Sequence, residues 1–425
     1  MKRVFFLLLL FIVQYTFSQN TFDYRSFTKK MCSPEFHGRG YVNNGDATAA
    51  KYIAEHMKSM GIESQPSGYF QPFNFNVNTF PDTCRIVING KVLNPGKDYV
   101  AAPFSNGNCT MKPCKGSLKY RMIHVTGEEV LIAKKRILEE CSINDILVVH
   151  NTFYSSDSSR RIQSTLSTLS EHIPIIELVN NKFTWSVSQE HTSQLYIQLQ
   201  ESRCTLNDSI IEIHLHNDLL ANYETKNVIG KIPSKKKPKG TIMLTAHYDH
   251  LGRLGSDTYF PGGNDNASGV AMLLQLGAMI KEKPLKRYNT ILVAFAGEEV
   301  GLLGSKYMSE STLIDVNDVR FLLNLDIMGS GEEGITAVNG RVFTKEFELL
   351  QKMNRRVKAV PVVKARGKAA NSDHYFFTEK GVRSFFIYTM GENKNYHDVY
   401  DTYENLSFSS FDSLAKLFNR FLRRL

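Results

Sequence analysis

Thr241-Ile242-Met243-Leu244-Thr245-Ala246-His247-Tyr248-Asp249 is the stretch from which the fold can be read. An apolar, β-prone run ends in an imidazole, a phenol and a carboxylate, which is how a buried strand delivers chemistry at its carboxyl end. The pattern repeats downstream. Residues 290–296 are followed by Gly297-Glu298-Glu299, residues 321–325 by Asp326, and residues 384–388 by Asn395-Tyr396-His397-Asp398. Helical stretches at 267–282, 301–309 and 343–357 separate these runs, and a terminal helix begins at Ser410. Such alternation predicts an α/β fold with a mixed, largely parallel central sheet and helices on both faces.

Upstream, Ala49, Ile53, Met57 and Met60 form one helical stripe, and Gly61 stands where a left-handed cap is needed. Asn89-Gly90 between two short β-prone runs predicts a hairpin. From there to about residue 220 the text changes to short strand-like runs (146–149, 173–178, 195–198, 210–215), a Ser-rich patch at 155–170 and most of the cysteines. Residues 86–220 are therefore read as an inserted β-rich domain, with 20–85 and 221–425 forming the main domain.

Residues 1–19 read as a signal peptide, with Lys2 and Arg3 ahead of an unbroken apolar run over 4–13 and a polar tail. The run falls short of the roughly 20 residues that span a bilayer as a helix. Cleavage near Ser18 or Gln19 is expected, giving an exported, periplasmic or extracellular protein without stable membrane insertion. Removing the leader takes away two basic and no acidic side chains, leaving 49 basic against 42 acidic, or +7. The cationic stretches at 235–239 and 420–424 carry no interleaved aromatics, so nucleic acid is not an expected partner. The chain has six cysteines and no CxxC pair, which argues against a zinc knuckle or a redox motif. Cys109 and Cys114 could close a small loop, and all six could equally be buried thiols.

In open α/β sheets the ligand site lies beyond the carboxyl ends of the strands. Five loops deliver His247, Asp265 (within Gly262-Gly263-Asn264-Asp265-Asn266), the pair Glu298-Glu299, Asp326 and His397 to that rim. Two imidazoles with several carboxylates and no thiolate suit borderline divalent cations such as a pair of zinc ions. A shared carboxylate would then hold the ions roughly 3.5–4 Å apart, as in two-metal hydrolytic sites. Adjacent residues on an extended segment point opposite ways, so one glutamate of Glu298-Glu299 can bind metal while the other faces the attacking water. Spacing does not say which. Singly, a His-x-Asp or a Glu-Glu is commonly structural or solvated; five in this order make the metal reading the stronger one.

These segments resemble the motif set of the co-catalytic di-zinc aminopeptidases of metallopeptidase family 28: His247-Tyr248-Asp249, Gly-Asn-Asp265-Asn-Ala-Ser-Gly, Gly-Glu298-Glu299-Val-Gly-Leu-Leu-Gly-Ser, Asn-Leu-Asp326, and Tyr396-His397 with Asp-Val-Tyr-Asp-Thr. The resemblance covers about residues 225–425, and His37-Gly38-Arg39-Gly40 with the following helix resembles the family's N-terminal element. The insertion resembles a protease-associated domain more weakly.

The resemblance implies a zinc-exopeptidase fold, two zinc ions and peptide substrates. It makes His247 and Asp326 ligands of one ion, Glu299 and His397 ligands of the other, and Asp265 the bridge, with Asp249 orienting His247. Glu298 becomes the general base, Tyr396 or alternatively Tyr388 the oxyanion donor, and Asp265-Asn266 a cis peptide. Asp373, in Ser372-Asp373-His374, is a candidate pocket residue. His250 is read as facing solvent or lying behind the ligands. A carboxypeptidase or a glutaminyl cyclase on the same fold, and a metal-free receptor-like homologue, remain the competing functions. The last would be expected to show broken ligands, and here all five are present.

Overall fold

The computed structural model describes residues 22–107, 110–111, 121–141, 145–151, 156–203, 206 and 211–425. The signal-peptide reading and the Cys109–Cys114 loop fall outside these residues. Among the described residues no helix is long and apolar enough to cross a membrane.

Eight strands make the central sheet: β1 (Phe70–Thr79), β2 (Asp218–Ile232), β3 (Thr241–His247), β4 (Asn289–Phe295), β5 (Val319–Asp326), β6 (Gly334–Val338), β7 (Val363–Ala365) and β8 (Ser384–Met390). Their order is β1-β2-β4-β3-β5-β8-β6-β7. The four central strands, β4, β3, β5 and β8, run parallel, and antiparallel pairs flank them on both sides. The sheet is thus mixed with a parallel heart, as the alternation predicts.

The uniform apolarity of β3 has a simple cause, since both of its faces are covered. Ile242, Leu244 and Ala246 pack on one face beneath five helices, Tyr24–Met31, Gly45–Ser59, Gly269–Glu282, Thr344–Val357 and Phe411–Leu422. Met243 packs on the other face with Met308 and Phe377 of the short helices Leu303–Glu310 and His374–Glu379. The period-2 alternation of strand side chains survives as a choice between two cores instead of between core and water. Gly45–Ser59 ends as the sequence suggests: Gly61 sits at φ 68° and its N–H bonds back to Lys58 O.

Strands β1 and β2 have no counterpart in the sequence reading. In β1, Phe73, Phe75 and Val77 are buried in alternation, a strand pattern present in the sequence; in β2, buried polar side chains interrupt the apolar pattern, since Thr225 and Asn227 are both fully buried, Thr225 donating to Asp46 and Asn227 to Gln71 and Gly304 O.

The inserted segment carries a five-stranded sheet in the order Tyr99–Ala101, Tyr196–Gln200, Ile175–Val179, Asp145–Asn151, Arg121–Thr126, parallel except at its first pair. A smaller sheet includes the Asn89-Gly90 hairpin. Two helices, Gly127–Glu140 and Ser156–Leu169, accompany the strands. The Ser-rich patch is thus helical, because Ile162, Leu166 and Leu169 recur at helical spacing and all three are buried. The insertion is also not free-standing: Leu251, Leu254 and Phe260 of the main domain share a core with its Trp185, Ile197 and Ile213.

Phe321 at the centre of the sheet is fully buried, with its ring 5.1 Å from Phe385 and 5.4 Å from Phe421. Phe321→Ala leaves a cavity between strand and helix and should cost about 3–5 kcal/mol of stability, read as a lowered midpoint in urea unfolding.

Candidate metal centre

His247 and Asp326 are the last residues of β3 and β5, and Glu298 and Glu299 follow the end of β4. Because these strands are parallel, their carboxyl ends share one edge, and the side chains converge. His247 Nε2 lies 3.3 Å from Asp265 Oδ1 and 3.5 Å from Asp326 Oδ2. On the far side of Asp265, His397 Nε2 lies 3.1 Å from Asp265 Oδ2 and 3.1 Å from Glu299 Oε2. The two oxygens of one carboxylate therefore face two different imidazoles.

These separations suit a shared cation. Ligands about 2.0–2.1 Å from a tetrahedral ion stand roughly 3.3 Å from one another. Ligand atoms of His247, Asp265 and Glu299, and separately of His247, Glu298 and Asp326, gather within 4.8 Å. Asp326 Oδ1 is buried with no hydrogen-bond partner among the described residues, an acceptor whose lone pairs are left for something else.

The electrostatics make the same demand for positive charge. Burial opposes charge on His247, yet Glu298 and Asp326 raise its pKa well above the ordinary imidazole value. His397 behaves alike: against burial, Glu299 and Asp265 push it up to about 11. Burial would raise Asp265, but hydrogen bonds from His247 and His397 hold it well below the usual carboxylate range. Burial lifts the Glu298 carboxyl well above its ordinary value, and Glu299, Asp373 and Asp326 add to the shift against the pull of His247. Protons on the imidazoles satisfy what a divalent cation would satisfy with more charge.

The backbone around Asp265 is gripped from two sides. Arg39 is fully buried and directs all its N–H groups at carbonyls: Nε to Tyr248 O (2.8 Å), Nη1 to Pro261 O (2.6 Å) and Met31 O (3.2 Å), and Nη2 to Gly262 O (2.7 Å) and Asp265 O (3.2 Å). The Asp401 carboxylate accepts from the N–H groups of Asn264 (2.8 Å) and Asp265 (2.9 Å). Gly262 sits at φ 57°, and a Cβ there would come within 2.3 Å of Asp265 O and 2.4 Å of Arg39 Nη2, so only glycine fits. The Asp265-Asn266 peptide is cis.

One placement differs from the sequence reading, and a second decides between the two alternatives left open for His250. The Asp249 carboxylate is 3.8 Å from His247 Nδ1, whereas the Asp249 backbone carbonyl is 3.1 Å away and does the orienting. The carboxylate instead accepts from Tyr41 Oη at 2.8 Å and from the N–H groups of Glu298 (3.2 Å) and Glu299 (3.3 Å), fixing the Glu-Glu segment. His250 does not face solvent; it is fully buried with Nδ1 2.8 Å from Glu299 Oε1. Arg39, Tyr41 and Asp401 were not legible as site residues, because their partners lie in segments distant along the chain.

Tyr396 is 44% exposed and stacks on His397 with 4.0 Å between ring centroids, which leaves a phenol at the rim of the centre. Tyr388 stands in register with Asp326 on the neighbouring strand. Asp373 is fully buried, and burial pushes its carboxyl up to about 7.

A parallel sheet edge that gathers imidazoles and carboxylates around a shared aspartate is an arrangement able to hold divalent cations. Residues 227–422 match the sequence model of Peptidase family M28. Aminopeptidase YwaD of Bacillus subtilis is 29% identical over 198 residues, covering 44% of this chain and 41% of the relative. A probable zinc metalloprotease of Pyrenophora teres is 37% identical over 112 residues, covering 25% of this chain and 23% of the relative. The chain thus spans less than half the length of these curated relatives. Among solved structures, BSAP, a zinc aminopeptidase from Bacillus subtilis, superposes with a TM-score of 0.69 at 16% identity over 94% of this chain and 93% of that one. A peptidase M28 precursor from Shewanella amazonensis gives 0.66 at 15% identity over 94% and 95%. At such identities the likeness is one of fold, and it extends through the insertion.

Removing the Asp249 carboxylate should loosen the Glu298-Glu299 segment. Asp249→Ala is expected to weaken divalent-metal retention roughly 10–100-fold, with Asp249→Asn closer to wild type because one acceptor oxygen remains. Dialysis against a competing chelator followed by metal analysis measures both.

Proposed function

We propose that the protein is a zinc-dependent aminopeptidase that releases N-terminal residues from peptides with two zinc ions. The observation that carries this reading is the split Asp265 carboxylate, with Oδ1 toward His247 and Oδ2 toward His397. His247 and Asp326 would hold one ion and Glu299 and His397 the other, with the Asp265 carboxylate available to both. Bound zinc supplies Lewis acidity toward the scissile carbonyl and makes water a usable nucleophile near neutral pH.

Glu298 takes the proton of the attacking water and passes it to the leaving amine. Burial, first of the causes, raises its pKa above the ordinary carboxylate value, the direction that makes a carboxylate a better proton acceptor. Its orientation is fixed through its own N–H, which donates to Asp249 Oδ1. Tyr396, whose ring stacks on His397, or alternatively Tyr388, would donate its hydroxyl to the developing oxyanion. The names of the relatives, an aminopeptidase and zinc metalloproteases, support the same chemistry for this chain. The charged start and apolar run of residues 1–19 support export.

Glu298→Gln should leave zinc content at wild-type level and lower kcat by at least 100-fold, the low end of what a positioned general base contributes. Zinc analysis beside turnover of aminoacyl chromogenic substrates decides it, and an active variant would overturn the role of Glu298. Peptides blocked at either terminus check the direction of attack. Cleavage should survive C-terminal blocking and be lost on N-terminal blocking.

A further inference from the structure

Between the insertion's strands Ile175–Val179 and Tyr196–Gln200, the chain at 182–189 leaves its own sheet and runs along the metal centre. Its backbone meets His397 twice. The Trp185 N–H donates to His397 O at 2.9 Å, and Trp185 O lies 2.7 Å from His397 Nδ1. A carbonyl can only accept, so Nδ1 carries a proton, and Nε2 is the nitrogen that faces Asp265 and Glu299, where a cation in place of its proton would be met by its lone pair. His247 is oriented by a carbonyl of its own loop, that of Asp249, but His397 borrows its carbonyl from the insertion. His397 also has φ 53°, a left-handed conformation that a non-glycine residue holds only when its surroundings fix it.

The segment is fastened on both sides of the centre. The Trp185 indole stacks on Phe260, centroids 4.6 Å apart, just before the Pro261 and Gly262 carbonyls that Arg39 grips. Indole Nε1 donates to Ala101 O at 2.7 Å, anchoring it in the insertion. Lys182 Nζ lies 2.7 Å from both Asp398 Oδ2 and Lys394 O, flanking His397, and Gln189 Nε2 donates to Val300 O at 3.1 Å, next to Glu299.

We infer that residues 182–189 of the insertion are a positioning element of the metal centre: the Trp185 carbonyl sets the tautomer and ring direction of His397, held in place by the Trp185 indole and Lys182. The insertion thereby becomes part of the second ion's site without supplying a ligand. This rests on the reading of His397 as a zinc ligand.

The test uses the full-length protein and zinc alone. Trp185 is the sole tryptophan, so zinc added to the chelator-stripped protein should shift its emission. In competition with a chelator, Trp185→Ala and Lys182→Ala should weaken the second zinc equivalent by roughly 10–100-fold and leave the first unchanged. Trp185→Phe keeps the carbonyl and the stack on Phe260 and should restore most of the affinity. A purely structural role would lower Tm without separating the two equivalents. His397→Ala is the control: it should lose one equivalent, and if it keeps both, the ligand assignment fails. If His397→Ala loses one equivalent while both Trp185→Ala and Lys182→Ala bind zinc like wild type, the positioning role is overturned and the ligand assignment stands. Should Trp185→Ala not fold, the Lys182→Ala result alone decides, since that side chain is half exposed.

Discussion

One carboxylate shared between two imidazoles organises this molecule. Asp265 can face His247 and His397 at once only if its loop is held rigidly over the ends of the central strands, and only if other acids crowd around it. Buried like charges a few ångströms apart repel strongly where the dielectric is low. The fold must supply compensating hydrogen bonds and, at the centre itself, positive charge. The imidazoles drawn toward protonation and the orphaned oxygen of Asp326 record that demand from the protein's side.

Most of the surrounding architecture answers it. Arg39, a fully buried cation, spends its donors on carbonyls of the loop that carries Asp265 and so fixes the loop while placing a positive charge behind it. Asp401 holds the same loop by its amides. Asp249, tied to Tyr41, fixes the amides of Glu298 and Glu299, and His250 steadies the Glu299 carboxylate. His247 and Asp326 close strands, which are stiff, while Asp265, Glu298, Glu299 and His397 stand in loops that these hydrogen bonds hold in place. Rigid elements for the chemistry with specific hydrogen bonds behind them is the arrangement that keeps a metal site in one geometry.

The insertion changes character in this light. Its hydrophobic core is continuous with residues of the main domain, and a backbone carbonyl from it orients an imidazole of the centre. Two parts that look separable along the chain are joined at the site itself. The likeness of fold to two solved structures over nearly the whole chain, insertion included, agrees with a fold in which the two parts are built together.

The alternating apolar runs determined the parallel heart of the sheet, because strands buried on both faces must be apolar throughout and helices must cover them. The residues after each run determined the ligand candidates, since strand ends of a parallel sheet meet at one edge. Strand β2 stayed hidden because its buried polar residues, among them Thr225 and Asn227, break the hydrophobic pattern that reveals a strand, whereas the alternation of Phe73, Phe75 and Val77 in β1 was there to be read. Arg39, Tyr41, Asp401, the burial of His250 and the carbonyl of Trp185 were decided by tertiary structure alone. Each acts through a partner far along the chain or through a backbone atom, and a backbone carbonyl is the same in every residue, so no side-chain pattern can announce it.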